Sequence, residues 1–146
     1  MSQMGRHDQA IDYYKQAMAV EPENKRLKID YAYSLVSAGR SEEALAIYEK
    51  LKNQFPDDFK IYEDIGITLA SKGKYDEALK NFKKAVELNP APVTYLNYAV
   101  MLEQVGRLEE AVRYLKLYLE TTAEGNTQRK QDAEKALVQW ERRLKQ

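Results

Sequence analysis

Residues 59–92 read FKIYEDIGITLASKGKYDEALKNFKKAVELNPAP, and moving along the chain by one such unit in either direction meets the same pattern again. Four glycines recur at separations of 34, 34 and 33 residues: Gly5, Gly39, Gly73 and Gly106. Four alanines keep the same separations: Ala10, Ala44, Ala78 and Ala111. A proline follows each of the first three glycines by 17 residues. A fixed period in this range predicts a solenoid of stacked units, each made of two helices.

The composition is that of an ordinary folded domain without a dominant charge. The chain has 146 residues, 44% of them hydrophobic and 32% charged, with 23 basic and 23 acidic side chains. This balance favours neither nucleic acid nor an anionic membrane as a partner. The absence of cysteine excludes disulfides, thiolate chemistry and cysteine-ligated metals.

The chain shows no pattern of a targeting or membrane segment. Its first ten residues, MSQMGRHDQA, have no apolar run behind Arg6, so they do not resemble a signal peptide. No segment approaches the roughly 18 apolar residues that a membrane-spanning helix needs. We therefore expect a soluble, cytoplasmic protein without membrane insertion.

The period predicts a single domain over residues 1–146. Its parts are a half repeat at 5–24 with only the second helix, full repeats at 25–58, 59–91 and 92–125, and a capping helix at 127–145. The third full repeat is one residue shorter, and the deletion falls in the loop at 89–92, where a change of length costs little. The first unit looks cut in half, which would leave part of its apolar face uncovered.

Glycine and alanine positions predict how the two helices of a repeat meet. A glycine at the turn can take the left-handed conformation, which costs a residue with a Cβ about 1–2 kcal/mol. Gly66 lies within a predicted helix, where glycine costs roughly 1 kcal/mol relative to alanine, so it requires a packing reason. Its counterparts are Ala32 and Ala99. We expect these small residues where helix backbones approach closely.

These residues resemble the tetratricopeptide repeat (TPR) family over residues 5–125. The marks of the resemblance are the glycines at the helix ends and four further features: the Tyr62/Gly66 pair, Tyr75, the Ala78-Phe82-Ala85 set, and Pro90. The departures are Lys28, where a large apolar residue is typical, and Tyr118 and Ala123 in the last repeat. The resemblance implies an all-α fold, a right-handed TPR superhelix (α-solenoid) of helix-turn-helix repeats ended by a C-terminal capping helix.

The resemblance also implies a non-catalytic scaffold for protein–protein interaction, in which the first helices line a concave groove that binds a peptide or helix of a partner. On each first helix a second stripe lies about 100° round from the core stripe. We predict that the groove consists of its members: Arg26, Ile29, Tyr33, Lys60, Glu63, Ile67, Val93, Leu96, Val100 and Glu103. The apolar members would contact the ligand, while the charged members would set polarity. The alternative is that Ile67 and Val100 are packing residues between neighbouring helices.

One specificity known in the family is a carboxylate clamp that holds the acidic C-terminus of a chaperone. The clamp needs Lys and Asn on one inner helix, Asn on the next, and Lys and Arg on the third. In this sequence those places hold five other residues: Ile29, Tyr33, Asp64, Val93 and Asn97. The clamp is therefore absent, and Asp64 would repel a carboxylate.

Catalysis has little support in the sequence. The single histidine, His7, is expected in an exposed turn rather than as an acid or base. No second histidine or cysteine completes a metal site, and no GxxxxGK loop is present to hold phosphate. We expect no enzyme activity, no cofactor and no metal.

Two further hypotheses concern assembly. The uncovered side of the first helix, chiefly Ile11, Tyr14 and Met18, could pair with a second copy to give a homodimer. The mid-repeat start also fits a TPR fragment of a larger enzyme or scaffold. The last helix carries six basic and three acidic residues, which is typical of a solvated face rather than of nucleic-acid binding.

Overall fold

A computed structural model describes residues 3–122 and 127–146. In those residues the chain forms helices and no strands. Eight helices follow one another: α1 (Gln3–Val20), α2 (Lys25–Ser37), α3 (Ser41–Gln54), α4 (Phe59–Ser71), α5 (Tyr75–Leu88), α6 (Pro92–Gln104), α7 (Leu108–Thr121) and α8 (Thr127–Leu144). None of these described helices has the length and apolar content needed to cross a bilayer.

The helices fall into two compact units, Met1–Lys74 with α1 to α4 and Tyr75–Gln146 with α5 to α8. In the first unit α2 packs against α1 and α3, and α4 packs against α3 and α2. In the second unit α6 packs against α5 and α7, and α8 packs against α7. Within each unit short connections make consecutive helices run in opposite directions, so that α2 and α4 run parallel in the first unit and α5 and α7 run parallel in the second.

Glycine ends the first helix of each pair. The φ angles are 81° at Gly39, 78° at Gly73 and 83° at Gly106, and no other described residue has a positive φ. After α2, Arg40 N donates to Leu35 O at 2.8 Å and Gly39 N donates to Val36 O at 3.0 Å. These two bonds satisfy carbonyls that a helix end otherwise leaves unpaired. The predicted left-handed turns are confirmed at all three glycines.

The first of the four periodic glycines, Gly5, has a different role. Helix α1 begins at Gln3, two residues before it, so Gly5 and His7 both lie inside the helix. The expectation that His7 sits in a turn is wrong. The backbone of Gly5 continues α1, so Gly5 takes no positive φ and makes no turn.

Substituting alanine at these two kinds of glycine should change stability in opposite directions. Gly39→Ala should lower the free energy of unfolding by about 1 kcal/mol, because alanine is strained at positive φ. Gly5→Ala should raise it by about 0.5 kcal/mol, because alanine is the better helix former and no neighbouring atom lies within 4 Å of the added Cβ. Urea denaturation followed by circular dichroism measures both. Equal effects at the two sites would contradict this account.

Small residues lie at the centre of the helix packing. Five alanines have no exposed surface. Ala32 and Ala99 occupy equivalent positions on first helices, and Ala44, Ala78 and Ala111 occupy equivalent positions on second helices. Larger buried side chains surround them, such as Tyr48 and Leu51 in the first unit and Leu102 and Leu115 in the second. The prediction that these alanines lie where helices approach closely agrees with their complete burial.

Helix α3 offers a matched test of this packing. Ala44→Leu should destabilise the protein by about 1–3 kcal/mol, because the larger side chain does not fit a site that is already filled. Ala46→Leu places the same side chain at an exposed position of the same helix, and it should change stability by less than about 0.5 kcal/mol. Thermal or urea unfolding of both variants compares the two sites, and a neutral Ala44→Leu would contradict the packing account.

Helix α8 covers the end of the second unit. Ala133 and Trp140 are buried, and Lys116 Nζ lies 3.6 Å from Glu141 Oε1. Arg143 Nη1 donates to Glu103 Oε1 at 2.5 Å, which ties α8 to α6 as well as to α7. The predicted break before this helix and the departure at Ala123 lie outside the described residues.

Candidate functional site

Three exposed apolar side chains of the first helices occupy equivalent positions. Tyr33 is 66% exposed on α2, Ile67 is 52% exposed on α4, and Val100 is 41% exposed on α6. Side chains of this size are usually covered by packing. Because α2 and α4 are in contact within the first unit, Tyr33 and Ile67 belong to one continuous surface there.

The stripe that reaches the surface is rotated from the predicted one. It follows steps of four, three and four residues on each first helix: Arg26, Asp30, Tyr33 and Ser37 on α2; Lys60, Asp64, Ile67 and Ser71 on α4; Val93, Asn97, Val100 and Gln104 on α6. Its members Asp30, Asp64 and Asn97 are half-buried, as are the predicted members Ile29 and Leu96.

Glu63 shows the rotation most clearly, because it is only 1% exposed. The expectation that Glu63 sets the polarity of an exposed groove is wrong. A step of three residues turns a helix by about 300° and a step of four by about 400°. Relative to Lys60, Glu63 therefore lies about 60° towards the core on one side, whereas Asp64 lies about 40° to the other side, at the surface.

Sequence reasoning did not assign Asp30 and Asp64 to the surface stripe. A signal for them was present, since they are 34 residues apart and so occupy equivalent positions on α2 and α4. Each also lies four residues after a basic residue, Arg26 and Lys60 respectively. This spacing places an acid and a base on one helix face.

The surface of the first unit contains a cleft at the start of α2 and α4. Its volume is about 290 Å³, and it is lined by Lys25, Arg26, Ile29, Asp58, Lys60 and Asp64. Capping residues position both helices here, because Leu27 N donates to Asn24 Oδ1 at 3.2 Å and Lys60 N donates to Asp58 Oδ1 at 3.0 Å. The cleft is thus built on helix starts that are held by side-chain hydrogen bonds.

Charges around this cleft are arranged in pairs. Lys25 forms an ion pair with Asp58 and also lies over the Phe55 ring, 4.5 Å from its centroid. Arg26 Nε donates to Asp30 Oδ2 at 3.2 Å. The rim therefore offers both signs of charge rather than a net field.

Asp64, which lines this cleft, has a raised pKa. The pKa of Asp64 is raised to about 6, chiefly by burial; the ammonium of Lys60 lowers it, and the carboxylates of Asp58 and Asp30 raise it. An ionised carboxylate is less well solvated here than in water, so its proton is held more tightly in the folded chain.

Replacing Asp64 by asparagine should stabilise the protein at neutral pH. The folded pKa of Asp64 lies above its unfolded value, so its contribution to stability is complete below pH about 4 and is lost as pH rises through about 6. Asp64→Asn removes that loss, and the free energy of unfolding at pH 7 should rise by about 1–2 kcal/mol, allowing for partial exposure.

Denaturation from pH 4 to pH 7 measures this effect. The difference between Asp64→Asn and the parent should grow as pH rises. Asp57→Asn makes the same chemical change at an exposed loop position and serves as the control. A constant or inverted difference for Asp64→Asn would contradict the assigned burial effect.

The first helix of the second unit presents a more apolar surface. Val93 is exposed and Leu96 is half-buried, and both lie on the same side of α6 as Val100. Glu103 is half-buried and bound by Arg143 of α8. The predicted polar contact at Glu103 is therefore already occupied by an internal ion pair.

The predicted self-association face lies largely inside the first unit. Ile11 is only 2% exposed, so the expectation that it is uncovered is wrong. Helix α1 packs against α2, which covers this face, and Tyr14 and Met18 are half-buried. Met18 lines a cleft of about 300 Å³ with residues of α2 and α3. Self-association through this face stays a prediction.

No cluster of three or more metal-ligating side chains occurs in the described ranges 3–122 and 127–146. The ionisable groups of the α2–α4 cleft are paired acids and bases, and they are suited to binding polar groups of a ligand.

Comparison with known proteins identifies the repeat. Models of the tetratricopeptide repeat match residues 2–63 and residues 59–92, which together span more than half of the chain. No curated protein matches the chain.

Solved structures show the same fold. The type III secretion translocator chaperone SycD of Yersinia enterocolitica is 19% identical with a TM-score of 0.74, covering 88% of this chain and 94% of SycD. The same chaperone with a peptide of the translocator YopD is 21% identical with a TM-score of 0.67, covering 82% and 91%. YrrB, a TPR protein with an unusual peptide-binding site, is 22% identical with a TM-score of 0.70, covering 90% and 67%. These likenesses show an all-α solenoid.

Proposed function

Because the chain belongs to the tetratricopeptide repeat family, we propose that it is a non-catalytic protein-interaction scaffold whose first helices bind a peptide or helix of a partner protein. The observation that carries this proposal is the pair of exposed apolar side chains, Tyr33 and Ile67, on the adjacent helices α2 and α4. Exposed apolar surface rimmed by polar residues is typical of interaction sites.

The chemistry of this surface indicates what kind of ligand it suits. Tyr33 and Ile67 offer apolar contact, and the phenol of Tyr33 adds a polar tip that suits an interface. The ion pair Arg26–Asp30 lies beside them on α2, and Lys60 and Asp64 lie beside them on α4. We infer a ligand with apolar anchors and polar groups of both signs. On α6 of the second unit, the apolar group Val93, Leu96 and Val100 supplies a further contact surface of the same kind.

Known structures support this proposal. SycD was solved with a peptide of a translocator, and YrrB is described by its peptide-binding site. In the present chain the places of the carboxylate clamp hold apolar and acidic residues, among them Ile29, Asp64 and Val93. We therefore propose that the ligand is not recognised through a C-terminal carboxylate.

Photo-crosslinking at Tyr33 tests the proposal and identifies the ligand. A photoreactive phenylalanine analogue at position 33 should crosslink to a peptide of one partner, and mass spectrometry identifies that peptide. The affinity of the full chain for the synthetic peptide is then measured. Tyr33→Ala/Ile67→Ala should weaken binding by about tenfold or more, because central apolar anchors carry much of the energy of an interface.

A matched control uses exposed apolar residues on another face. Tyr13 and Val20 of α1 are 64% and 81% exposed, so Tyr13→Ala/Val20→Ala removes similar surface away from the proposed site. This variant should bind the peptide as tightly as the parent does. Unchanged binding by Tyr33→Ala/Ile67→Ala, or an equal loss in the control, would overturn the assignment of the α2–α4 surface.

A further inference from the structure

The second unit contains a cleft between its two parallel second helices, α5 and α7. The cleft has a volume of about 540 Å³, larger than the cleft at the start of α2 and α4. Lys80 and Lys83 line it from α5, Arg113 and Tyr114 line it from α7, and Tyr98 lines it from α6. Apart from Tyr98 and Arg107 its lining comes from second helices, and it shares no residue with the first-helix surface proposed above.

The two ends of this cleft differ in charge. At one end Arg107 Nε donates to Glu110 Oε1 at 2.7 Å, and Asp76 adds a second carboxylate. At the other end lie Lys80, Lys83 and Arg113, and none of the three forms an ion pair within the described residues 3–122 and 127–146. Three cations without an ion pair therefore lie together in a chain of zero net charge.

The repeat explains why two of these cations are neighbours. Lys80 and Arg113 are 33 residues apart and occupy equivalent positions on consecutive second helices. The equivalent position in the first unit is Ala46, and the equivalent of Lys83 is Glu49. The cationic cleft is therefore a property of the second unit rather than of the repeat itself.

The floor of the cleft is aromatic and apolar. Tyr98 is 3% exposed, and its ring contacts the Tyr114 ring edge-on with centroids 4.7 Å apart. The Arg113 guanidinium lies 5.5 Å from the centroid of the Tyr114 ring. Burial raises the pKa of Tyr98, so its phenol is neutral at physiological pH. An apolar side chain of a ligand would find aromatic surface beside the three cations.

We propose that the α5–α7 cleft is a second interaction site, which binds an acidic segment of a partner protein through Lys80, Lys83 and Arg113. Carboxylates of the segment neutralise the three cations, and an adjacent apolar or aromatic side chain packs on Tyr114. Charge complementarity of this kind guides association and selects the partner.

The charge pattern favours an acidic peptide over nucleic acid. A nucleic-acid strand carries a continuous row of phosphates and binds to extended basic surfaces. In this cleft the basic end is short, and Asp76 together with Glu110 would repel a polyanion that continued along α5 and α7. A peptide can place its acidic residues at one end only.

Titration with a labelled peptide tests the proposal on the full chain. The probe is a fluorescein-labelled synthetic peptide with the core Glu-Glu-Phe-Glu-Glu, and the comparison peptide has Gln in place of each Glu. The acidic probe should bind with an affinity that falls as salt is raised, and the Gln peptide should bind at least about tenfold more weakly. Absence of binding by the acidic probe would overturn the proposal.

Charge reversal locates the site. Lys80→Glu/Arg113→Glu should weaken binding of the acidic probe by about tenfold or more, because it replaces attraction by repulsion. Arg129→Glu/Lys135→Glu makes the same change of charge at exposed positions of α8 and should leave binding near that of the parent. An equal loss in both variants would show a general charge effect and overturn the site.

Two further outcomes separate this proposal from the alternatives. The choice of a peptide ligand would be overturned if an oligothymidine strand bound more tightly than the acidic peptide and if Lys80→Glu/Arg113→Glu abolished that binding. Tyr33→Ala/Ile67→Ala should bind the acidic probe as the parent does, so that failure of one proposed site is distinguishable from failure of the other.

Discussion

The structure depends on small side chains at the centre of the helix packing within each unit. The buried alanines occupy these positions, and Ala44 and Ala78 have no exposed surface. Large buried side chains such as Tyr48 and Phe82 fill the remaining interior. A glycine at positive φ then reverses the chain within a few residues, so that the next helix returns along the first.

This packing leaves two kinds of surface. In the first unit the buried sides of α2 and α4 pack against α3, while Tyr33 and Ile67 stay exposed on these two helices. The second helices likewise bury one side and leave open the cleft between α5 and α7. Tyr98 belongs to both the core and the α5–α7 cleft, whereas exposed residues such as Tyr33 and Lys80 can vary without loss of the fold. The packing decides where the two proposed surfaces lie, and their exposed side chains decide their chemistry.

The two proposed surfaces differ in how their charged side chains are arranged. On α2 and α4 acids and bases alternate, as in the pair Arg26–Asp30, so the apolar side chains decide affinity and the paired charges decide orientation. In the proposed α5–α7 site the cations Lys80 and Arg113 form no ion pair with other described residues, so electrostatic attraction would be the main contribution. A scaffold with two such surfaces could hold two segments of different chemistry at once, and local charge rather than the zero net charge would decide partner choice.

The sequence by itself determined the repeat, the helix pairs, the left-handed glycine turns and the buried alanines, because these depend on local backbone conformation and on a pattern that recurs three times. Only the tertiary structure decided which side chains reach the surface. A rotation of about 100° per residue separates Glu63 in the core from Asp64 at the cleft. Ile11 is covered because α2 packs on it, and Arg143 reaches Glu103 from 40 residues away. Such contacts depend on the position of a neighbouring helix, which periodicity along one helix does not specify.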